Sequence, residues 1–117
     1  MSTRRRTTRI APLYTRAYDL YSWLLDHAAR LDDPCAKPLL EYAQVLLDAV
    51  CLAVESFDTD HQLRKADEAA TLLRTHLRVA AARGHLSDRQ LLHANGMLRE
   101  IGRQIGGWHR QRTGVVR

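Results

Sequence analysis

The amino-acid sequence predicts an all-α protein, an antiparallel up-down four-helix bundle. Four segments repeat apolar residues at alternating steps of three and four, short turn-forming segments separate them, and no segment alternates as a strand would. The chain has 117 residues, 45% of them hydrophobic and 26% charged, which suits one domain with one core. We therefore expect a flexible basic arm at residues 1–11, the bundle at 12–109 and a basic tail at 110–117.

The first helix is expected to begin at Pro12, because proline suits the first turn of a helix. Its inward-facing residues are Leu13, Ala17, Leu20, Leu24 and either Ala28 or Leu31. Pro34 and the two aspartates before it end the helix, since the residue before a proline avoids helical angles. The segment MSTRRRTTRIA before Pro12 has four arginines and almost nothing apolar, which is typical of a flexible arm.

The second helix is expected to begin near Lys37 or Pro38. Its inward residues are Leu39, Ala43, Leu46, Val50 and Val54. The turn-forming stretch SFDTD at 56–60 separates it from the third helix. The third helix carries Leu63, Ala66, Ala70, Leu73, Leu77 and Ala80 inward. It is expected to stop at Arg83-Gly84, where glycine can adopt the left-handed terminating conformation.

The fourth helix begins with a predicted capping box, in which Ser87 is the N-cap and Gln90 follows three residues later. Its inward residues are Leu91, Ala94, Leu98, Ile101, Ile105 and Trp108. The last residues, RQRTGVVR at 110–117, are expected to be frayed. Across the four helices, Tyr14, Tyr21, Leu25, Leu40, Leu47 and Leu92 broaden the apolar faces. Since a monomer would expose that extra surface, a homo-oligomer is expected.

Composition also bears on location and redox state. No apolar run approaches the roughly 20 residues that cross a bilayer, and polar residues follow the arginines at 4–6 where a signal peptide needs an apolar core. A cytoplasmic protein without a membrane segment is therefore expected. Cys35 and Cys51 would lie more than about 20 Å apart on a helix, beyond disulfide reach, so both are expected to be reduced, with Cys51 in the core.

No catalytic residue, metal site or cofactor is predicted. The chain has no Glu-x-x-His pattern of the kind that di-metal bundles use, and no cysteine or carboxylate stands at ligand spacing from His85 or His93. Nucleophile and phosphate-loop motifs are absent from the sequence as well. The pairs Arg103…His109 and Arg78…His85 fit the Arg-x(4–6)-His pattern of HEPN-type ribonucleases, but an arginine-rich chain contains about that many by chance. A small ribonuclease is thus a minor alternative.

Charge is distributed unevenly along the chain. Residues 1–60 hold seven basic and nine acidic side chains, whereas residues 61–117 hold eleven basic and four acidic ones. Arginine supplies 16 of the 18 basic residues, and its planar fork binds phosphate in a bidentate manner. The candidate binding residues are Arg74, Arg78, Arg89, Arg99, Arg103 and Arg110. Their alternative interpretation is an ordinary solvated face. All four tyrosines precede position 43, so binding should be directed to the backbone of RNA or DNA and sensitive to salt.

The glycines near the end of the fourth helix need an explanation, because each interior glycine costs about 1 kcal/mol relative to alanine. Gly102 and Gly106 stand four residues apart on one helix face, followed by Gly107 and Trp108. We expect this strip to allow close approach of a neighbouring helix or of another subunit. The alternative is that Gly106-Gly107 merely ends the helix early.

Three segments together resemble the accessory variability determinant family of bacterial diversity-generating retroelements, which is related to the four-helix proteins of 23S rRNA intervening sequences. These are PLYTRAYDLYSWLLDHAARL at 12–31, LLRTHLRVAAARGHLSDRQL at 72–91 and LREIGRQIGGWHR at 98–110. The residues that match family positions are Tyr18, Asp19, Arg78, Arg89, Arg103, Gly102, Gly106, Gly107 and Trp108. The family's basic, aromatic entry to the second helix is replaced here by LDDPCAKPLLEY.

The resemblance implies a homopentameric barrel of four-helix protomers with a basic surface and no active site. Such a protein would bind the reverse transcriptase of its element together with RNA or cDNA, and would support mutagenic reverse transcription. The alternative is an oligomeric four-helix protein of the intervening-sequence type with no direct role in reverse transcription. A neighbouring reverse transcriptase gene with a template and variable repeat would favour the first, and a location inside an rRNA gene the second.

Overall fold

A computed structural model describes the backbone of residues 2–113 and the side chains of residues 12–111. Over that range the chain forms four helices and no strand: α1 Ser2–Ala28, α2 Ala36–Val54, α3 Thr59–Ala82 and α4 Asp88–Thr113. Each helix packs on the next, and α4 closes the ring against α1, whereas diagonally opposed helices do not pack. Short connections make successive helices antiparallel. The all-α, four-helix prediction is confirmed.

The core lies along the inward stripes that the periodicity predicts. Every inward residue predicted for α2 and α3 is buried, as are those of α1 through Ala28, and Ala94, Leu98, Ile101 and Ile105 of α4. Leu31, the alternative to Ala28, lies past the end of α1 and is only half-buried. The two ends of the α4 stripe differ, because Leu91 and Trp108 are only half-buried against the core. Alanines at many inward positions allow close packing, and the α2–α3 pair has the most extensive contact of the four.

Two helix boundaries differ from those expected. The backbone of α1 begins at Ser2 and places Pro12 inside the helix, where the proline removes one backbone hydrogen bond instead of starting the helix. Arginine is a good helix former, which favours a helical backbone before Pro12. The flexible arm at 1–11 stays a prediction, since those side chains are outside the described range. At the other end α4 continues to Thr113, and residues 114–117 lie outside the description.

The α2–α3 connection is shorter than predicted. Thr59 is already helical and buried, so only residues 55–58 connect the two helices. Ser56 and Asp58 adopt left-handed backbone angles, with φ of 66° and 46°. The chain reverses within this short connection because these two residues take conformations that non-glycine residues seldom adopt.

The α3–α4 connection follows its sequence signals. Gly84 has a φ of 85°, the amide of Gly84 donates to the carbonyl of Ala81, and the amide of His85 donates to that of Ala80, both at 3.0 Å. This is a Schellman termination. The amide of Gln90 donates to Ser87 Oγ at 3.1 Å, and the amide of Ser87 donates to Gln90 Oε1 at 2.9 Å. The predicted capping box is confirmed.

The two cysteines are free and half-buried, so Cys51 flanks the core rather than lying within it. Burial raises the pKa of the Cys51 thiol, and the nearby Asp48 carboxylate raises it further. Among the described helices, none combines the length and apolarity needed for a membrane span.

Candidate nucleic-acid and partner interface

Three of the predicted arginines lie near the line of contact between α3 and α4. A terminal nitrogen of Arg74, on α3, lies 3.5 Å from the position that a Cβ would take on Gly102 of α4. Arg74 is therefore half-buried over the line where the two helices meet. Arg78 follows one turn later on the same flank of α3. On α4, Arg99 directly follows the buried Leu98. It lies on the side of the helix that faces α3, the same side as Gly102.

The surface along the α3–α4 contact also includes residues that were not among the predicted binding residues. A groove of about 400 Å³ runs between α3 and α4 and is lined by Leu63, Arg64, Asp67, Gly102, Ile105, Gly106 and His109. Arg64 thus belongs to the same flank of α3 as Arg74. We use the name basic seam for the exposed or half-exposed arginines along the α3–α4 contact: Arg64, Arg74, Arg78, Arg99 and Arg110. The seam combines contributions from two helices, which helical periodicity within one segment does not reveal.

The six predicted arginines differ in their partners. Arg103 is held by Glu100 through two hydrogen bonds, from Nε to Oε1 at 3.0 Å and from a terminal nitrogen to Oε2. The hydrogen bonds from Arg103 and from Gln104 lower the pKa of Glu100 to about 2, and the same carboxylate raises the pKa of Arg103. Arg103 therefore presents less net charge to a partner than its sequence position suggests. The spacing of Glu100 and Arg103 could have predicted this pair.

Arg78 and Arg99 have no carboxylate within ion-pair distance in the described part of the chain, and both are exposed. Arg89 is exposed too, but it lies in the first turn of α4 on the face opposite the core, away from the seam. Arg110 is exposed, and its guanidinium folds back to within 3.4 Å of a Cβ built on Gly106. Four of the six predicted arginines thus lie along the α3–α4 contact, whereas Arg89 and Arg103 lie on the outer face of α4.

The glycine strip forms part of the groove wall rather than a helix contact within the protomer. Among residues 12–111, only arginine side chains lie within 4 Å of Cβ positions built on Gly102, Gly106 and Gly107. The expectation of a neighbouring helix within the chain is therefore wrong, because the arginines cover the space that a backbone would need. The alternative of an early helix end is wrong as well, since α4 continues to Thr113. Contact with another subunit stays a prediction.

A second polar cluster, missed by the sequence analysis, lies at the end of the bundle where the α1–α2 and α3–α4 connections meet. Asp33 Oδ2 accepts a hydrogen bond from Arg83 Nε at 2.9 Å and lies 2.7 Å from His85 Nε2. Asp33 Oδ1 accepts the backbone amide of Cys35 at 2.9 Å. The amide of Cys35, then His85 and Arg83, hold the pKa of Asp33 well below its usual range. Burial and the adjacent Asp33 raise the pKa of the Cys35 thiol.

Three other histidines pack on aromatic rings. Trp23 on α1 stacks on His27 at a centroid distance of 4.1 Å and lies 5.4 Å from His93 on α4. Tyr42 on α2 stacks on His76 of α3 at 5.3 Å. These contacts give three of the six histidines a packing role.

Comparison with protein-family models, with curated proteins and with solved structures gave no match for this chain.

Proposed function

We propose that this protein is a non-catalytic accessory subunit of a diversity-generating retroelement. In this proposal the basic seam binds the phosphate backbone of RNA or cDNA and the element's reverse transcriptase. The observation that carries it is the position of Arg74, Arg78 and Arg99 along one helix-helix contact, with no carboxylate paired to Arg78 or Arg99 in the described chain. The identity of the partner rests on the resemblance of the three sequence segments.

The side chains of the seam are better suited to binding the phosphates of a nucleic acid than to binding an acidic protein surface. Guanidinium groups recognise phosphate through paired N–H donors, and the seam offers several of them along two adjacent helices. Apart from His109, the residues that line the groove are aliphatic, charged or glycine. Bases therefore have no large aromatic ring to stack on there, and contacts to the phosphate backbone should dominate affinity.

Assembly into a homo-oligomer, a homopentamer by resemblance, belongs to the same proposal. Tyr14, Tyr18 and Leu25 on α1 remain 37%, 51% and 41% exposed, and Leu92 on α4 is 70% exposed. Large apolar side chains of this kind are candidates for burial against another copy. Because a symmetric assembly repeats the basic seam, it would bring several seams to one nucleic acid and increase the salt dependence of binding.

A salt titration with a charge-matched control tests the proposal. Fluorescence anisotropy would give the affinity for a labelled RNA at several salt concentrations for the wild type, for Arg78→Ala/Arg99→Ala and for Arg30→Ala/Lys37→Ala. Both double variants remove two positive charges, but Arg30 and Lys37 lie outside the seam. For the seam variant alone, we expect the slope of log affinity against log salt to fall by about 0.7 to 0.9 for each phosphate that is no longer neutralised.

Co-purification with the reverse transcriptase of the proposed element, with and without nuclease, tests the partner. The wild type and the Arg30→Ala/Lys37→Ala control should retain the enzyme, and the seam variant should release most of it. Equal shallow slopes for all three proteins, with no retained enzyme, would contradict the proposal. That result would favour the intervening-sequence alternative, in which the arginines are a solvated face.

A further inference from the structure

Three potential metal ligands of different chemistry meet at one end of the bundle. The carboxylate of Asp33, the thiol of Cys35 and a ring nitrogen of His85 all lie within 4.8 Å of one another. Asp33 and Cys35 come from the α1–α2 connection, and His85 comes from the α3–α4 connection, so the backbone of both connections fixes their positions. All three residues are half-buried, and the side chain of Asp33 is only 9% exposed.

We propose that Asp33, Cys35 and His85 bind one Zn²⁺ ion, with water in the fourth position. Zinc in proteins takes thiolate, imidazole and carboxylate ligands in tetrahedral sites, and three protein ligands leave one position open. Magnesium and calcium require oxygen ligands throughout, so a cluster with one sulfur and one nitrogen selects against them. This proposal departs from the expectation of no metal, which rested on spacing along the sequence.

The present contacts already arrange the ligands around a common point. The ligand atoms of tetrahedral zinc lie about 3.3 to 3.8 Å from one another, so atoms within 4.8 Å need to move by only about 1 Å. His85 Nε2 and Asp33 Oδ2 now face each other at 2.7 Å, and the ion would take the place of their hydrogen bond. The backbone amide of Cys35 keeps its hydrogen bond to the other oxygen, Oδ1, and so orients the carboxylate as an outer partner does in known metal sites.

Charge and access are both compatible with a divalent cation. The thiolate of Cys35 and the carboxylate of Asp33 together neutralise Zn²⁺, and the thiol proton leaves to solvent when the metal binds. Arg83 currently pairs with Asp33 Oδ2 at 2.9 Å and must withdraw. Its side chain is 57% exposed, so it can turn into solvent without disturbing a packed neighbour. Arg83 is thus a competitor for the site rather than part of it.

Binding of Co²⁺ and Zn²⁺ to the full chain tests this proposal. Co²⁺ takes similar ligands to Zn²⁺, and its thiolate charge-transfer absorption and visible bands report sulfur ligation and tetrahedral geometry. We expect one ion per chain, a thiolate band, and displacement of Co²⁺ by Zn²⁺. Wild type and Cys51→Ser should behave alike, because the thiol of Cys51 lies outside the cluster. Cys35→Ser should abolish the band.

Two histidine variants provide a second comparison, which is needed if Cys35→Ser alters the backbone of the α1–α2 connection. His85→Gln should weaken Zn²⁺ binding, measured by competition with a chromophoric chelator, by about 100-fold or more, since changes to outer partners alone cost 10–100-fold. His93→Gln should bind as the wild type does. Arg83→Ala should bind more tightly, because it removes the competing guanidinium. Absence of the thiolate band in the folded wild type, or equal binding by Cys35→Ser and Cys51→Ser, would overturn the proposal.

Discussion

A terminal nitrogen of Arg74 lies 3.5 Å from the place that a Cβ would occupy on Gly102. At this point α3 and α4 meet through a charged side chain that lies against a glycine. Two helices more often meet through a pair of apolar side chains. It keeps the guanidinium half-buried and directed along the α3–α4 contact. A methyl group added at Gly102 would therefore touch only the end of a long side chain, at an ordinary van der Waals distance.

The first prediction concerns this glycine. Gly102→Ala should raise the free energy of unfolding of the protomer by about 1 kcal/mol, because alanine favours the helix and nothing in the protomer obstructs its methyl group. If a second subunit approaches the strip, the same change should also shift the assembly to smaller species. Urea unfolding and size exclusion with light scattering measure the two effects.

Gly96→Ala is the matched control, since Gly96 lies inside the same helix and no atom of the described side chains lies within 4 Å of its Cβ position. It should give the same gain in stability and leave the assembly unchanged. Identical assembly states for wild type, Gly96→Ala and Gly102→Ala would remove the glycine strip from the subunit interface.

A second prediction concerns the ion pair of Glu100 and Arg103. Glu100→Gln removes the carboxylate that holds Arg103, so the guanidinium becomes available to phosphate. RNA affinity at low salt should rise, and the slope against log salt should steepen by up to about 0.7 to 0.9. Glu41→Gln changes the charge by the same amount at an exposed position on α2 and should have a smaller effect. Equal responses from the two variants would show that only net charge matters.

The third prediction is the pH dependence of stability at Asp33, measured with a chelator present. Its pKa in the folded protein is lowered by the Cys35 amide, His85 and Arg83. The stabilisation is therefore complete above the unfolded pKa of about 3.9 and is lost as pH falls through the folded value. Asp33→Asn should be less stable than the wild type at pH 7, and the difference should shrink below about pH 4.

Asp32→Asn is the control for this titration, because Asp32 is the exposed neighbour of Asp33 and makes none of these contacts. Chemical unfolding at a series of pH values would compare the three proteins. A difference between wild type and Asp33→Asn that stays constant from neutral to acidic pH would show that the carboxylate charge contributes nothing.

The fourth prediction tests the capping box. Ser87→Ala removes the oxygen that accepts the amide of Gln90 and should lower the free energy of unfolding by about 1 kcal/mol. Ser87→Thr keeps a hydroxyl and should recover most of that stability. If Ser87→Ala and Ser87→Thr unfold at the same urea concentration as the wild type, the start of α4 does not depend on this cap.

Local patterns in the sequence predicted most of the fold. The three-four spacing identified the buried faces of all four helices, and Ser87, Gln90 and Gly84 marked the α3–α4 connection, because each of these signals acts within one turn or one helix. Helix starts were less predictable: Thr59 begins α3 inside a segment rich in turn formers, because the left-handed angle of Asp58 completes the reversal first.

The candidate sites were only partly predictable, because they combine residues from distant parts of the chain. Periodicity placed Arg74 and Arg78 on one face of α3, but it did not relate that face to Gly102 or add Arg64. Nothing in the spacing of Asp33 and His85 shows that they touch, because the contact depends on how two connections meet at the end of the folded bundle. Once the helix order is known, antiparallel packing brings these connections to the same end.

The contact between Asp33 and His85 also has a consequence for how the protein opens. It joins the two ends of the segment that contains α2 and α3, so this hairpin forms a loop closed by noncovalent bonds. While the Asp33–His85 contact is intact, the ends of this loop stay together, so α2 and α3 gain less conformational entropy when they separate. The helices outside the loop, α1 and α4, share the least extensive helix contact. Native-state hydrogen exchange should therefore show α1 and α4 exchanging before the α2–α3 hairpin, which should exchange only with global unfolding.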